Sequence, residues 1–265
     1  MDTIRLYFRS MKMLLKSHLQ YPASFILQLC SQAIMLGGEL MAVLLIIDRF
    51  DALNQWTGGD LLFFFGVMSV TFYIMECFAR GVTTFGPLVQ RGTLDIFLLR
   101  PRGVLTQVIC YQLDPRRLTA ILVGVLSMVM GSRQSMIAWT PLKALALLES
   151  IAFGGLVVLG LFFIEAMFSI RSVKSIEVVN ALTYGGRSAC QYPIDIYPGP
   201  LKLLFTAVAP FALTIHMPVS YILGKNLFGW PDAAAFLCPL IGGAFFFVMY
   251  LLFQHAMRYY RSTGS

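Results

Sequence analysis

Apolar runs of membrane-spanning length alternate along this chain with short polar and basic breaks. Such runs cover residues 23–47, 61–79, 118–138, 142–170 and 233–257, each near the roughly 20 residues a helix needs to cross a bilayer. Tyr21-Pro22 opens the first, and Asp48, Arg49, Asp51 and Asp60 surround the loop after it. Arg80 closes the second. Trp139-Thr140-Pro141 separates the third from the fourth, where a Trp suits the membrane interface. Arg171 and Lys174 follow the fourth, and the last run ends at Arg258 and Arg261.

Ahead of these runs, Arg5, Arg9, Lys12 and Lys16 recur at helical spacing. At about 100° per residue the four cations fall within a stripe of roughly 60°. Ile4, Tyr7, Phe8, Met11, Leu14 and Leu15 form an apolar stripe on another side. The pattern predicts a helix lying along the cytoplasmic leaflet, its cations reaching anionic head groups. No small-residue cleavage site precedes the first apolar run, so the stretch does not read as a secretory signal.

Between Arg171 and Ala233 two arguments compete for a fifth span. Hydropathy favours Leu203–Gly224, uncharged between Lys202 and Lys225. Pro210 and Pro218 interrupt it, however, and each proline removes a backbone donor and clashes with the preceding turn. Two half-length helices in a re-entrant hairpin, about residues 200–224 and ending at Gly224, accommodate both prolines if protein packing covers the exposed backbone. The fifth span then becomes the more polar segment 173–191, followed by the turn Tyr192–Pro200 with Pro193 and Pro198. Either way the count is six. With both termini inside, all but four (Arg49, Arg133, Lys143, Lys225) or all but six (adding Arg187 and Lys202) of the 20 basic residues lie on the cytoplasmic side, as the positive-inside bias requires.

Composition narrows the class further. Of 265 residues, 58% are hydrophobic and 12% charged, against about 25% charged in soluble domains. Six spans leave no room for a sizeable soluble domain. The formal charge of +7 is placed between apolar runs rather than gathered on a polar face, which excludes nucleic acid as partner. The five cysteines are scattered and form no CxxC pair; they read as packing residues. The fold class expected is all-α: one polytopic membrane domain over residues 1–265, with six transmembrane helices, an N-terminal interfacial helix and a re-entrant hairpin before the last span.

No catalytic or metal site is predicted. Gly224-Lys225 is followed by Asn226 rather than Ser or Thr, and no phosphate-binding GxxxxGK loop occurs elsewhere. His18, His216 and His255 are too dispersed for zinc or haem, and no GxSxG elbow is present. Acidic residues within spans carry more weight, because an ionised carboxylate in hydrocarbon is costly. All three acids, Glu39, Glu76 and Glu165, should face partner helices or an aqueous cavity: Glu76 and Glu165 either serve a substrate-pathway or proton-linked site or reach the interface beside Arg80 and Arg171, and the deeper Glu39 is a possible pathway residue. The basic stretch between the second and third spans contains Gln90-Arg91-Gly92-Thr93-Leu94-Asp95-Ile96-Phe97-Leu98-Leu99-Arg100-Pro101. It predicts a short amphipathic helix, Leu94, Phe97 and Leu98 sharing a side and Arg100-Pro101 ending it. Such a helix suits either a groove on a soluble partner or the lipid interface.

Gly92-Thr-Leu-Asp95 followed by Leu98-Leu-Arg-Pro101, Tyr192-Pro-Ile-Asp-Ile-Tyr197, Pro210 with Pro218-Val-Ser-Tyr-Ile-Leu-Gly224, and the terminal Tyr260-Arg-Ser-Thr-Gly264 occur in that order. In these motifs the chain resembles the permease subunits of ATP-binding-cassette exporters of the second type, particularly a bacterial subfamily with paired permeases. The resemblance spans almost the whole chain. It implies a multi-pass protein of the bacterial cytoplasmic membrane with both termini inside, forming the pathway with a second permease, identical or sibling. Two separate ATPase subunits, which hold ATP and Mg, bind beneath; this chain carries no cofactor. About residues 86–102 then correspond to the ATPase-coupling segment and 200–224 to the re-entrant extracellular hairpin, which favours 173–191 as the fifth span. The competing expectation is a channel or ion-driven carrier working without an ATPase.

Overall fold

The structure is a computed structural model and describes residues 3–50, 52–53, 55–171, 176–225 and 231–260. The start of the expected fifth span and the end of the Tyr260–Gly264 motif lie outside these residues. Helix α1 (Thr3–Leu19) is followed by α2 (Pro22–Phe50), then by a two-stranded antiparallel turn, β1 (Ala52–Leu53) with β2 (Trp56–Thr57). Next come α3 (Gly58–Phe78) and four short helices, α4 (Arg80–Thr83), α5 (Phe85–Gln90), α6 (Thr93–Leu98) and α7 (Val104–Ile109). Three longer ones follow: α8 (Arg117–Gln134), α9 (Pro141–Arg171) and α10 (Ile176–Cys190). The chain then forms α11 (Gly199–Leu203), two widened π-type turns (Leu204–Val208 and Ala212–His216), α12 (Met217–Leu223) and α13 (Cys238–Met257).

Four described helical stretches are long and apolar enough to cross a membrane: Pro22–Leu45, Gly58–Phe78, Pro141–Ile170 and Asp232–Met257. They number five if the pair Gly199–Val208 and Ala212–Leu223 counts as one broken span, its arms bent by 84°. The run Leu203–Gly224 is therefore not a straight helix. Ala209, the residue before Pro210, adopts φ −122° and ψ 89°, because a following proline disfavours the helical region. Of the remaining expected spans, α8 has 18 residues and α10 has 15, or roughly 27 Å and 22 Å of helix against a hydrocarbon core of about 30 Å.

Helix α3 is the axis of the bundle. Its apolar residues occupy the whole circumference, as expected of a helix surrounded by protein, and every residue from Gly59 to Tyr73 is buried. Helix α8 runs antiparallel along it at backbone contact. A methyl group added to Gly66 would lie 2.5 Å from the Met128 nitrogen, and one on Gly131 would lie 2.5 Å from that of Phe63. Ser127 donates to the Leu62 carbonyl at 2.8 Å across the same seam. Small residues permit this approach where lipid gives no hydrophobic drive for association. Helix α9 covers another side of α3 and runs parallel to α13, joined by Phe163 stacked on Phe253 (5.1 Å) and by Gly242 against the Phe153 carbonyl. The outer sides of α2, α8 and α13 expose large apolar residues, among them Leu27, Ile34, Leu122, Leu126, Leu240 and Phe247.

The α3–α8 seam makes a testable distinction among glycines. Gly131→Val forces the two backbones apart and should cost roughly 1–3 kcal/mol by overpacking, read as a lowered melting temperature of the detergent-purified protein. Gly37→Ala, where nothing lies within 4 Å, should melt as the wild type does.

Candidate coupling surface and the charge network behind it

The chain leaves α3 through α4 and α5 and reverses at Gly92, whose left-handed backbone (φ 65°) is the conformation glycine adopts without strain. The resulting α5–α6 tip has an inner and an outer side. Leu94 and Phe97 are buried, and Phe97 makes an edge contact with Tyr111 at 5.6 Å. Gln90, Arg91, Arg100 and Pro101 are exposed, as are Ile96, Leu98 and Leu99. Leu94, Phe97 and Leu98, which share helical spacing in the sequence, thus divide between the two sides, Leu94 and Phe97 facing the bundle and Leu98 the outside. Helix α6 has only six residues, and its inner side ends at Phe97. Thr93 and Asp95 are partly exposed, and Asp95 accepts a hydrogen bond from the Tyr260 hydroxyl at 3.1 Å.

Several contacts anchor the tip to the bundle. Phe85 of α5 is buried against Phe253 of α13, with ring centroids 5.5 Å apart. Gly81 of α4 sits so close to α7 that an added methyl would meet the Val108 carbonyl oxygen at 1.8 Å. Gln107 of α7 donates to the carbonyls of Phe97 (2.9 Å) and Arg102 (3.1 Å). These join α6, α7 and the turn between them.

Behind the tip lies a network of buried charges. Glu76, in the last turns of α3, is fully buried among neighbouring helices and beside Arg80. It accepts from Arg80 (3.0 Å), Arg117 (2.7 Å) and the Tyr184 hydroxyl (3.2 Å). Asp114, in the loop before α8, accepts two hydrogen bonds from Arg116 at 2.6 and 2.7 Å and lies 3.6 Å from Arg117 and 3.8 Å from Arg80. Arg117 also donates to Gln32 of α2 at 2.9 Å. One cluster therefore connects α2, α3, α4, α8 and α10.

A second ion pair lies toward the other end of α10. Arg187 donates to the Tyr73 hydroxyl and to Glu39, both at 2.7 Å, and its guanidinium lies over the Tyr73 ring at 5.1 Å. The Glu39 side chain remains 36% exposed, so it is neither isolated nor sealed. Glu165 is buried, and among the described residues it has no ion-pair partner; the Arg171 side chain lies outside those described.

The four cations Arg5, Arg9, Lys12 and Lys16 are exposed on α1, while Met11 packs against Cys77 and Leu113. Phe8 and Leu15 are exposed too, so the buried side of α1 is narrower than the sequence stripe. Cys77, Cys190 and Cys238 are buried as packing residues, Cys110 is half-buried and Cys30 is exposed.

At the opposite end of the bundle the bent segment is held by polar contacts. Pro193 precedes a 3-10 turn over Ile194–Ile196, Pro198 precedes α11, Pro210 lies in the break, Pro218 enters α12 and Gly224 ends it at φ 71°. Trp56 donates its indole N–H to both oxygens of Asp195 at 3.0 Å. Lys225 pairs with Asp60, which also accepts from Ser135 at 2.6 Å. His216 is buried against the Phe64 and Trp56 rings and accepts the Ile194 N–H at 3.2 Å.

The bundle, with its long apolar helices, is that of a membrane protein. Residues 33–264 match the ABC-2 family transporter proteins, and the chain belongs to that family. No curated protein and no solved structure matches the chain. The sequence assigns no role to Asp114, Tyr73 or Tyr184 and counts Arg117 only within the basic stretch before the third span. The available signals were the acid beside Arg116-Arg117 and a phenol on each of two helices rich in small or apolar residues.

Burial by itself would raise the Asp114 carboxyl, but the Arg116 hydrogen bonds and the guanidinium groups of Arg117 and Arg80 hold it below the usual carboxylate range. With a depressed folded value, its stabilisation is present above the unfolded pKa and is lost as pH falls through the folded one. Asp114→Asn should therefore lower the melting temperature at neutral pH, by a loss of about 1.5–3 kcal/mol for the charged hydrogen bonds from Arg116. That difference should shrink in strongly acidic buffer.

Proposed function

We propose that this chain is one permease subunit of an ATP-binding-cassette exporter, driven by separate ATPase subunits that hold ATP and Mg. The observation that carries this reading is the α5–α6 tip. Ile96, Leu98 and Leu99 are uncovered and flanked by Arg91 and Arg100, while Phe97 and the contact of Gly81 with Val108 fasten the tip to α4 and α7, and Arg80 of α4 belongs to the charge network shared by five helices. An apolar outer side with a basic rim suits docking onto a soluble partner. Its anchorage suits transmission of partner movement as rigid-body rearrangement. Gln90, Arg91, Gly92, Thr93, Asp95, Leu98, Arg100 and Pro101 would form or border the contact, with Leu94 and Phe97 supporting it from behind.

In this reading α8 and α10 join the four long helices to give six spans, and α11–α12 is a re-entrant hairpin on the outer side. The end bearing α1, the tip and Arg116-Arg117 faces the cytoplasm, in keeping with the positive-inside bias. The membrane would be the bacterial cytoplasmic one, with α1 lying in its interface. A second permease, identical or sibling, would complete the pathway. Helix α2 leaves Gly37, Gly38 and Ala42 exposed, and α10 leaves Ala181, Gly185 and Ser188 exposed. Small residues of this kind suit protein rather than lipid as neighbour, and Glu39 with Arg187 lies between them.

Replacing Asp95 or Arg100 with alanine, with expression and membrane insertion normal, should leave ATP hydrolysis by the assembled complex while lowering transport several-fold in reconstituted vesicles. Unchanged transport in both variants would remove the tip as the coupling contact. An ATPase-independent channel or carrier predicts instead full transport by the purified chain without any nucleotide-binding subunit.

A further inference from the structure

A groove of about 720 Å³ lies between α1 (Leu6, Met13, Leu14) and the turn that follows α6 (Phe97, Arg100, Arg102). Its lining combines an apolar floor with cations at the rim. Arg100 and Arg102 are exposed, and among the described residues neither guanidinium is paired with a carboxylate. Helix α1 contributes no acid anywhere along its length and adds the exposed Arg5, Arg9, Lys12 and Lys16 to the surroundings. Gln107 also lines the groove. It is only 7% exposed, its amide nitrogen is committed to the Phe97 and Arg102 carbonyls, and its buried Oε1 has no donor among the described residues.

An occupant that meets both floor and rim needs a negative group for the arginines and a hydrocarbon portion for the floor. We infer that the groove binds an anionic glycerophospholipid of phosphatidylglycerol type. Its phosphate would lie at Arg100 and Arg102, and one acyl chain along Leu6, Met13 and Leu14. The volume takes the head group and the upper part of a chain. The remainder would continue over the exposed apolar residues of α1, including Phe8 and Leu15. A soluble anion satisfies the arginines but leaves the apolar floor uncovered. A zwitterionic lipid covers the floor but brings its own cation to a basic rim. Arg100 and Pro101 also border the proposed ATPase contact, so the lipid site is tested on this chain without ATPase subunits, where its own residues build the whole groove.

The test is native mass spectrometry of the full chain in mild detergent, titrated with phosphatidylglycerol, with phosphatidylcholine of the same acyl chains, or with inorganic phosphate. The tightest site should retain one phosphatidylglycerol and bind phosphatidylcholine about tenfold more weakly. The R100Q/R102Q double variant, altered only at exposed side chains, should weaken phosphatidylglycerol binding by about tenfold. Ser10→Phe, which fills the groove from α1, should abolish retention while the melting temperature in detergent alone stays unchanged. Equal affinity for the two lipids overturns the assignment, as does wild-type phosphatidylglycerol affinity in the double variant. Retention of inorganic phosphate as strong as that of lipid would reduce the groove to a simple anion site.

Discussion

The Glu76 side chain is completely buried. It ends the most deeply buried helix of the bundle, and a charge in such a place persists only with counter-charges and hydrogen-bond donors around it. Those donors come from three other elements: Arg80 of α4, Arg117 of α8 and Tyr184 of α10. Because Arg117 is shared with Asp114 and Gln32, moving one element disturbs the hydrogen bonding of the others. Such a network is weak evidence for stability, since apolar packing often does as well. Its value lies in linking the basic tip to helices that pass through the bundle.

The two ends of α3 are organised alike by different means. At one end Glu76 gathers guanidinium groups. At the other, Asp60 gathers Thr57, Ser135 and Lys225, and Trp56 with His216 ties the turn before α3 to the bent α11–α12 segment. Between the ends, glycine and serine let α8 lie at backbone distance. A long buried helix held at both termini and along one side is a rigid post. Elements that rearrange during transport would have to move about it rather than deform it.

Surfaces left uncovered divide by chemistry. Large aliphatic residues on α8 and α13 suit lipid tails. The small residues on α2 and α10, beside a partly exposed ion pair, suit protein. The apolar and basic tip of α5–α6 suits neither bulk water nor hydrocarbon alone. Such a distribution describes one part of an assembly, in agreement with the ABC-2 family to which the chain belongs.

The membrane class, the long helices and the breaks at Tyr21-Pro22 and Pro210 were all legible in the sequence, whereas the reversal at Gly92 falls inside a stretch that the sequence reads as a single short helix. The legible features depend on local properties: a run of apolar residues or a missing backbone donor. A helix closes its own backbone hydrogen bonds, so lipid selects it from composition over some 20 positions. The partners of the buried charges were not legible. Arg117 meets Glu76 across 41 residues, Arg187 meets Glu39 across 148 and Lys225 meets Asp60 across 165. The sequence identified Arg187 only as unusually polar for a span, and it set Glu76 beside Arg80 without naming Arg117 or Tyr184 as partners. Tertiary packing alone decided these pairings, because Coulomb attraction acts over a few ångströms in space, whatever the distance along the chain.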